Sequence, residues 1–228
     1  MLNIKDISLS YDKKEVLKGL SLQVVEGKVM GVLGRNGAGK TSLFNCLYGH
    51  IKASGGQSYF HAAPLSAKHI AYLETHPYFY NYITGKEYLQ LCSHKNPDFD
   101  IKQWNQVFAL PLEQYVSSYS TGMRKQIAFL GILALNRPLL ILDEPFNGLD
   151  FESSEKMYQI IRRLKKHGKT ILISSHIIET LTNTCDEIAY LQNGMIQKIY
   201  HQSSFTDLKI ELRDKIQAEV DKELDFLF

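Results

Sequence analysis

Eight consecutive residues, Gly34-Arg35-Asn36-Gly37-Ala38-Gly39-Lys40-Thr41, satisfy the spacing G-x-x-x-x-G-K-S/T. They follow the apolar run Val29-Met30-Gly31-Val32-Leu33 and precede Leu43, Phe44 and Leu47, whose spacing predicts a helix from about Lys40 to Gly49. A loop of this kind at a strand-to-helix junction turns successive backbone N–H groups inward around phosphate oxygens, and the helix N-terminus adds positive potential. Lys40 then sets a cation on the terminal phosphates, and Thr41 supplies a hydroxyl for a magnesium ion.

A magnesium nucleotide site also needs an acidic ligand, ordinarily at the end of an adjacent buried strand. Leu139-Leu140-Ile141-Leu142 is such a run, and it ends on Asp143 and Glu144. Asp143 would hold the ion, directly or through water, and Glu144 could polarise an attacking water. Taken alone, the pair would serve as well to cap the next element. Two adjacent carboxylates ending an apolar strand are costly unless something cationic faces them.

The elements that must carry these groups follow from periodicity. Residues 2–33 alternate in the strand manner through Leu2, Ile4, Ile7, Leu9 and Tyr11, then Leu20, Leu22 and Val24, with turn signals at Asp12-Lys13-Lys14 and Glu26-Gly27. Residues 55–73 read as loops and short strands closing on Ile70-Ala71-Tyr72-Leu73. From about 76 to 136 the pattern turns helical. Thr84 and Glu87 form a capping box, Asp100 caps a helix through Ile101, Trp104, Val107 and Phe108, and Ser120 caps a third through Ile127, Phe129 and Leu130. A helix from Asp150 to Gly168 and a strand from Thr170 to Ser175 restore the alternation that predicts a parallel sheet. Asn193-Gly194 signals a type I′ hairpin, and Leu212, Ile216, Val220 and Leu224 mark one face of a terminal helix.

The 228 residues are enough for a substantial core, and a formal net charge of +2 offers no electrostatic footprint for nucleic acid or an anionic membrane. Cys46, Cys92 and Cys185 are far apart, lack metal-ligand spacing and read as small buried apolar residues in a reducing compartment. Met1-Leu2-Asn3-Ile4-Lys5-Asp6 lacks the basic start and apolar run of a signal peptide, and no apolar stretch approaches bilayer length.

With the loop and the acidic pair in hand, the chain resembles the ATP-binding cassette (ABC) family over nearly its full length. Tyr11 precedes the phosphate loop as that family's adenine-stacking aromatic does. Tyr119-Ser120-Thr121-Gly122-Met123 resembles the LSGGQ signature, Asn147-Gly148-Leu149-Asp150 resembles the D-loop, and His176 matches the switch histidine. Singly, Tyr11 would suit a strand-end core aromatic, and His176, Ser120 and Asp150 would suit helix caps. Their joint order lifts them.

The resemblance implies an α/β fold: a P-loop NTPase (RecA-like) core over 1–75 and 137–205 with an N-terminal antiparallel β-subdomain, an inserted α-helical subdomain over 76–136, and a C-terminal helix over 206–228. It implies ATP and Mg2+ as cofactors. Tyr11, Gly34, Arg35, Asn36, Gly37, Ala38, Gly39, Lys40, Thr41, Ser42, Ser120, Gly122 and Asp150 would meet nucleotide, Thr41 and Asp143 the metal, and Glu144, His176 and Lys40 the chemistry. Ser120 and Gly122, at a helix N-terminus, would reach ATP bound on a second subunit, so that closure depends on nucleotide.

Two departures stand out. The family's glutamine after the strand at 70–73 is missing from Glu74-Thr75-His76-Pro77, with Thr75 nearest its position and Glu74 the alternative. The signature carries Tyr119, Thr121 and Met123 in place of leucine, glycine and glutamine, a variant that resembles export-type ABC ATPases. The expected protein is a cytoplasmic ATPase subunit, peripheral at the inner face of the cell membrane. It would pair with a second ATPase subunit, identical or different, and drive a separate transmembrane permease for export, with no nucleic-acid partner. The alternatives are a soluble ABC ATPase acting on DNA or ribosomes, and a regulatory ATP-holding module, which the missing glutamine suggests and Glu144 opposes.

Overall fold

Strands that are apolar on both faces must be covered on both sides, and that requirement sets the architecture. The computed structural model describes residues 1–12 and 14–225; Lys13 of the expected turn and residues 226–228 of the expected terminal helix lie outside the described residues. The chain opens with β1 (Leu2–Tyr11), β2 (Lys14–Val24), β3 (Val29–Leu33), α1 (Lys40–Tyr48), β4 (Gly55–Phe60), β5 (Ala63–Pro64) and β6 (Ile70–Leu73). Three helices follow, α2 (Gly85–Ser93), α3 (Ile101–Asn105) and α4 (Thr121–Ala134). The remainder is β7 (Leu139–Asp143), α5 (Phe151–Lys166), β8 (Thr170–Ser175), α6 (Ile178–Thr182), β9 (Glu187–Gln192), β10 (Met195–His201) and α7 (Phe205–Leu224).

Strands β2, β1, β4 and β5 form an antiparallel sheet, and β10, β9, β3, β8, β7 and β6 a second sheet, parallel except at the β9–β10 pair. Alternate residues of the second sheet feed two cores. Met30, Val32, Ile141 and Leu172 face the antiparallel sheet and α1, whereas Val29, Leu140, Leu142 and Ile173 face α4, α5 and the rest of the helical side. The β9–β10 hairpin turns at Asn193 and Gly194, with φ of 52° and 79°, as a type I′ turn requires. Thr84, Asp100, Ser120 and Asp150 each cap their helix as expected.

Three expectations need amendment. The helix from Asp100 stops at Asn105, because the Asn105 amide pairs with both the Leu110 N–H (3.1 Å) and the Leu110 carbonyl (2.9 Å) and turns the chain. Of the cysteines, all free, only Cys185 is buried; Cys46 and Cys92 are half-buried at the edges of their cores. Phe205 and Leu208 anchor α7, and of the face read from spacing Leu212 packs against the core while Ile216, Val220 and Leu224 remain exposed, so only its start is covered by the described residues.

Candidate nucleotide site

The parallel strands β3, β6, β7 and β8 end along one edge of the sheet, and open α/β sheets bind ligands outside such carboxyl ends. The phosphate loop leaves β3 there and enters α1 at Lys40. Gly37 and Gly39 take φ of 82° and 110°, and a Cβ on Gly39 would lie 2.9 Å from Leu17 Cδ2, so the loop's path needs glycine at that point. The strained turn after β7 matters as much. Glu144 has φ 47°, which swings its side chain into the same space, and its N–H donates to Ser174 Oγ at 3.0 Å.

Lys40 is 6% exposed. Its Nζ donates to the carbonyls of Gly34 (2.7 Å) and Arg35 (3.4 Å) and lies 3.3 Å from Glu144 Oε1. His176 Nδ1 meets the same Oε1 at 3.0 Å. Asp143 is fully buried and accepts three hydroxyl hydrogen bonds, from Ser174 to Oδ1 and from Thr41 and Thr75 to Oδ2, the last two at 2.7 Å each. This oxygen-only set, two hydroxyls converging on one carboxylate oxygen, fits a hard cation such as magnesium, which takes the rest of its shell from water and phosphate.

The resulting cleft, about 410 Å³, is lined by Tyr11 at its mouth and by Asn36, Gly37, Gly39, Lys40, Thr41, Ser42, Glu144 and His176. These expected residues come together. Gly34 and Arg35 contribute carbonyls to Lys40, but the Arg35 side chain turns away to Glu219 on α7 at 2.5 Å, and Ala38 packs beneath the loop. Ser120, Gly122 and Asp150 lie outside the cleft. Ser120 accepts the Met123 N–H (3.2 Å), and Asp150 accepts the Ser153 N–H (2.7 Å), a hydrogen bond that lowers its carboxyl pKa.

Of the two residues left open at the missing glutamine, Thr75 joins the site and Glu74 turns to His50, 3.3 Å away. Asn147, named only within the D-loop resemblance, also lines the cleft, and sequence reasoning gave no site role to Ser174 or, above all, to Lys125. The Lys125 ammonium, 3% exposed, donates to the carbonyls of Thr75 (2.7 Å), Glu74 (3.4 Å) and Glu144 (3.5 Å). Burial pushes it down to about 8, against the opposing pull of Asp143 and Glu144. The demand for a cation facing the two carboxylates is met by Lys40 and does not point to Lys125, whose donors go to carbonyls.

The ABC transporter family profile matches residues 17–147, which is more than half of the chain. The chain belongs to the ABC transporter ATP-binding family. It is 35% identical to a putative ABC transporter ATP-binding protein, AlbC, of Bacillus subtilis, over 96% of this chain and 99% of that one. An ABC transporter ATP-binding protein of Nostoc sp. is 37% identical over 78% of this chain, which spans 57% of that protein's length. Among solved structures, an ATP-binding subunit of an ABC transporter superposes with a TM-score of 0.85 at 25% identity, over 97% of this chain and 99% of that one. The fold is shared as well with a dimeric post-hydrolysis cassette bound to ADP and Pi, TM-score 0.80 at 20% identity, covering 89% and 99%. The ABC protein is therefore an ATP-binding ATPase cassette with the expected α/β architecture. Among the described residues no helix is long and apolar enough to cross a membrane.

Proposed function

We propose that this cassette binds Mg-ATP in the cleft, dimerises on it with an identical or related ATPase subunit, and drives a separate transmembrane permease in the export direction. The observation that carries the reading is the convergence of Lys40, Thr41, Glu144 and His176 on one cleft, with the buried Asp143 bonded to Thr41 and Thr75 of its lining, and with Ser120 and Gly122 at the N-terminus of α4 outside it. A cleft furnished on one side only, and a spare anion-binding helix end elsewhere, suit a nucleotide shared by two subunits.

In this reading Lys40 leaves the Gly34 and Arg35 carbonyls for the terminal phosphate oxygens, and Thr41 and Asp143 hold the metal. Magnesium there supplies charge neutralisation on the phosphate oxygens. Glu144 orients and deprotonates the attacking water, and His176, hydrogen-bonded to its carboxylate, fixes its direction. Tyr11, 46% exposed, offers its ring to the base. The signature variant at 119–123 supports export through its resemblance alone.

The cassette would work at the cytoplasmic face, touching the membrane through the permease, with residues 76–136 as the subdomain that meets it. Tyr78 and Tyr80 support this: 75% and 65% exposed, they rim a cleft of about 470 Å³ that reaches Glu74, next to Thr75. Exposed aromatics around a cleft are the usual anchors of an interface. The test is isolation of the tagged chain from membranes. An integral membrane partner that is lost in the Tyr78→Ala, Tyr80→Ala double variant, with ATP turnover of the free chain retained, supports the reading. Salt-sensitive association with ribosomes or DNA and no membrane partner would overturn it.

A further inference from the structure

We propose that Lys125 is a positioning residue for ATP hydrolysis, tying the signature helix α4 to the turn that aims Glu144. An ammonium has three N–H donors, and Lys125 directs them at three backbone carbonyls, of Glu74, Thr75 and Glu144. None is left for a ligand, so the side chain acts through the backbone it holds.

Each carbonyl belongs to a segment the chemistry depends on. Thr75 carries the hydroxyl on Asp143 Oδ2, and the Glu144 carbonyl belongs to the residue whose φ of 47° sends its carboxylate into the cleft. Lys125 itself stands three residues after Gly122, in the first turns of α4. One side chain therefore links the helix end that would meet the second subunit's nucleotide to both acidic residues of its own site. Reaction geometry is sensitive to such links, because a displacement of about 1 Å at the reacting groups can cost on the order of a hundredfold in rate. Its charge has a second effect: although its donors go to carbonyls, it is attracted by the buried Asp143 and Glu144, the second of which has Lys40 as its direct ion-pair partner.

The inference rests on Glu144 acting as the base, and the variants are chosen to separate the two claims. Lys125→Met keeps the length and removes charge and donors; Lys125→Arg keeps both. Steady-state ATP turnover with magnesium, binding of a fluorescent ATP analogue and thermal melting are measured on each. The expected result for Lys125→Met is a turnover about tenfold or more below the parent, with KM and analogue affinity within about threefold, and substantial recovery in Lys125→Arg. If Lys125→Met does not fold, Lys125→Gln, which loses the charge and keeps a single tie to the Thr75 carbonyl, takes its place, with a smaller but definite fall in turnover expected and KM again within about threefold. Parental turnover in the folded uncharged variant overturns the proposal. So does a loss of turnover and affinity together that Lys125→Arg leaves unrepaired, since that pattern marks packing alone. Glu144→Gln is run alongside: parental turnover there defeats the base assignment and this inference with it, whereas an inactive Glu144→Gln beside a fully active Lys125→Met defeats the lysine's role only.

Discussion

Thr75 Oγ1 donates to Asp143 Oδ2 at 2.7 Å, and the loop after β6 is thereby fastened to the acidic end of β7. Thr41 donates to the same oxygen at the same distance, so the two hydroxyls bracket the point at which a cation would enter. Thr75→Val removes one of them at constant shape. The expected outcome is a loss of about 1 kcal/mol in stability, with a raised magnesium requirement for turnover. Titrating ATPase activity with magnesium checks this, and an unchanged midpoint would separate Thr75 from the metal site.

His176 Nδ1 and Glu144 Oε1 share a hydrogen bond of 3.0 Å, which gives the carboxylate a fixed direction. Its removal leaves Lys40 as the one partner of that oxygen among the described residues. His176→Ala is expected to lower turnover about tenfold or more while ATP affinity changes by less than about threefold. Stopped turnover with lost binding would instead assign the histidine to nucleotide capture.

The phosphate loop was legible because glycine spacing and an apolar run state the backbone path directly, and Asp143 and Glu144 because they end a short apolar run that suits a strand buried on both faces. Lys125 was not legible. On α4 it reads as one more polar residue after the signature, and only the crossing of that helix behind the β6 and β7 turns reveals what its ammonium meets. The early stop of α3 was hidden for a similar reason: Asn105 looks like an ordinary helix residue until its amide pairs with both backbone groups of Leu110. The exposed stripe on α7 was readable as a face, but spacing states which residues share a side and not whether anything covers it.

Glu211 ties α7 to β10, accepting from Tyr200 at 2.5 Å, from Lys215 at 3.0 Å and from Lys198 at 3.2 Å. The Tyr200 hydroxyl first, and the lysines after it, lower this carboxyl from 4.5 to about 2. A carboxyl depressed in the folded state stabilises fully above its unfolded value, near 4.5, and loses that contribution as pH falls toward about 2. Solvent screening of a side chain 36% exposed holds the contribution to about 1 kcal/mol or less. Glu211→Gln should therefore melt below the parent at neutral pH, with the gap narrowing as pH drops below about 4.5. A gap of constant size across that range would contradict the assignment.

The central claim is that the loop before Lys40 and the carboxylates of Asp143 and Glu144 serve one Mg-ATP. Steady-state turnover of Glu144→Gln, read together with its nucleotide retention and size-exclusion profile in ATP, tests it most directly. The account predicts turnover reduced by about a hundredfold or more, ATP still bound, and a dimer that accumulates with ATP and magnesium. Parental turnover in that variant would contradict it.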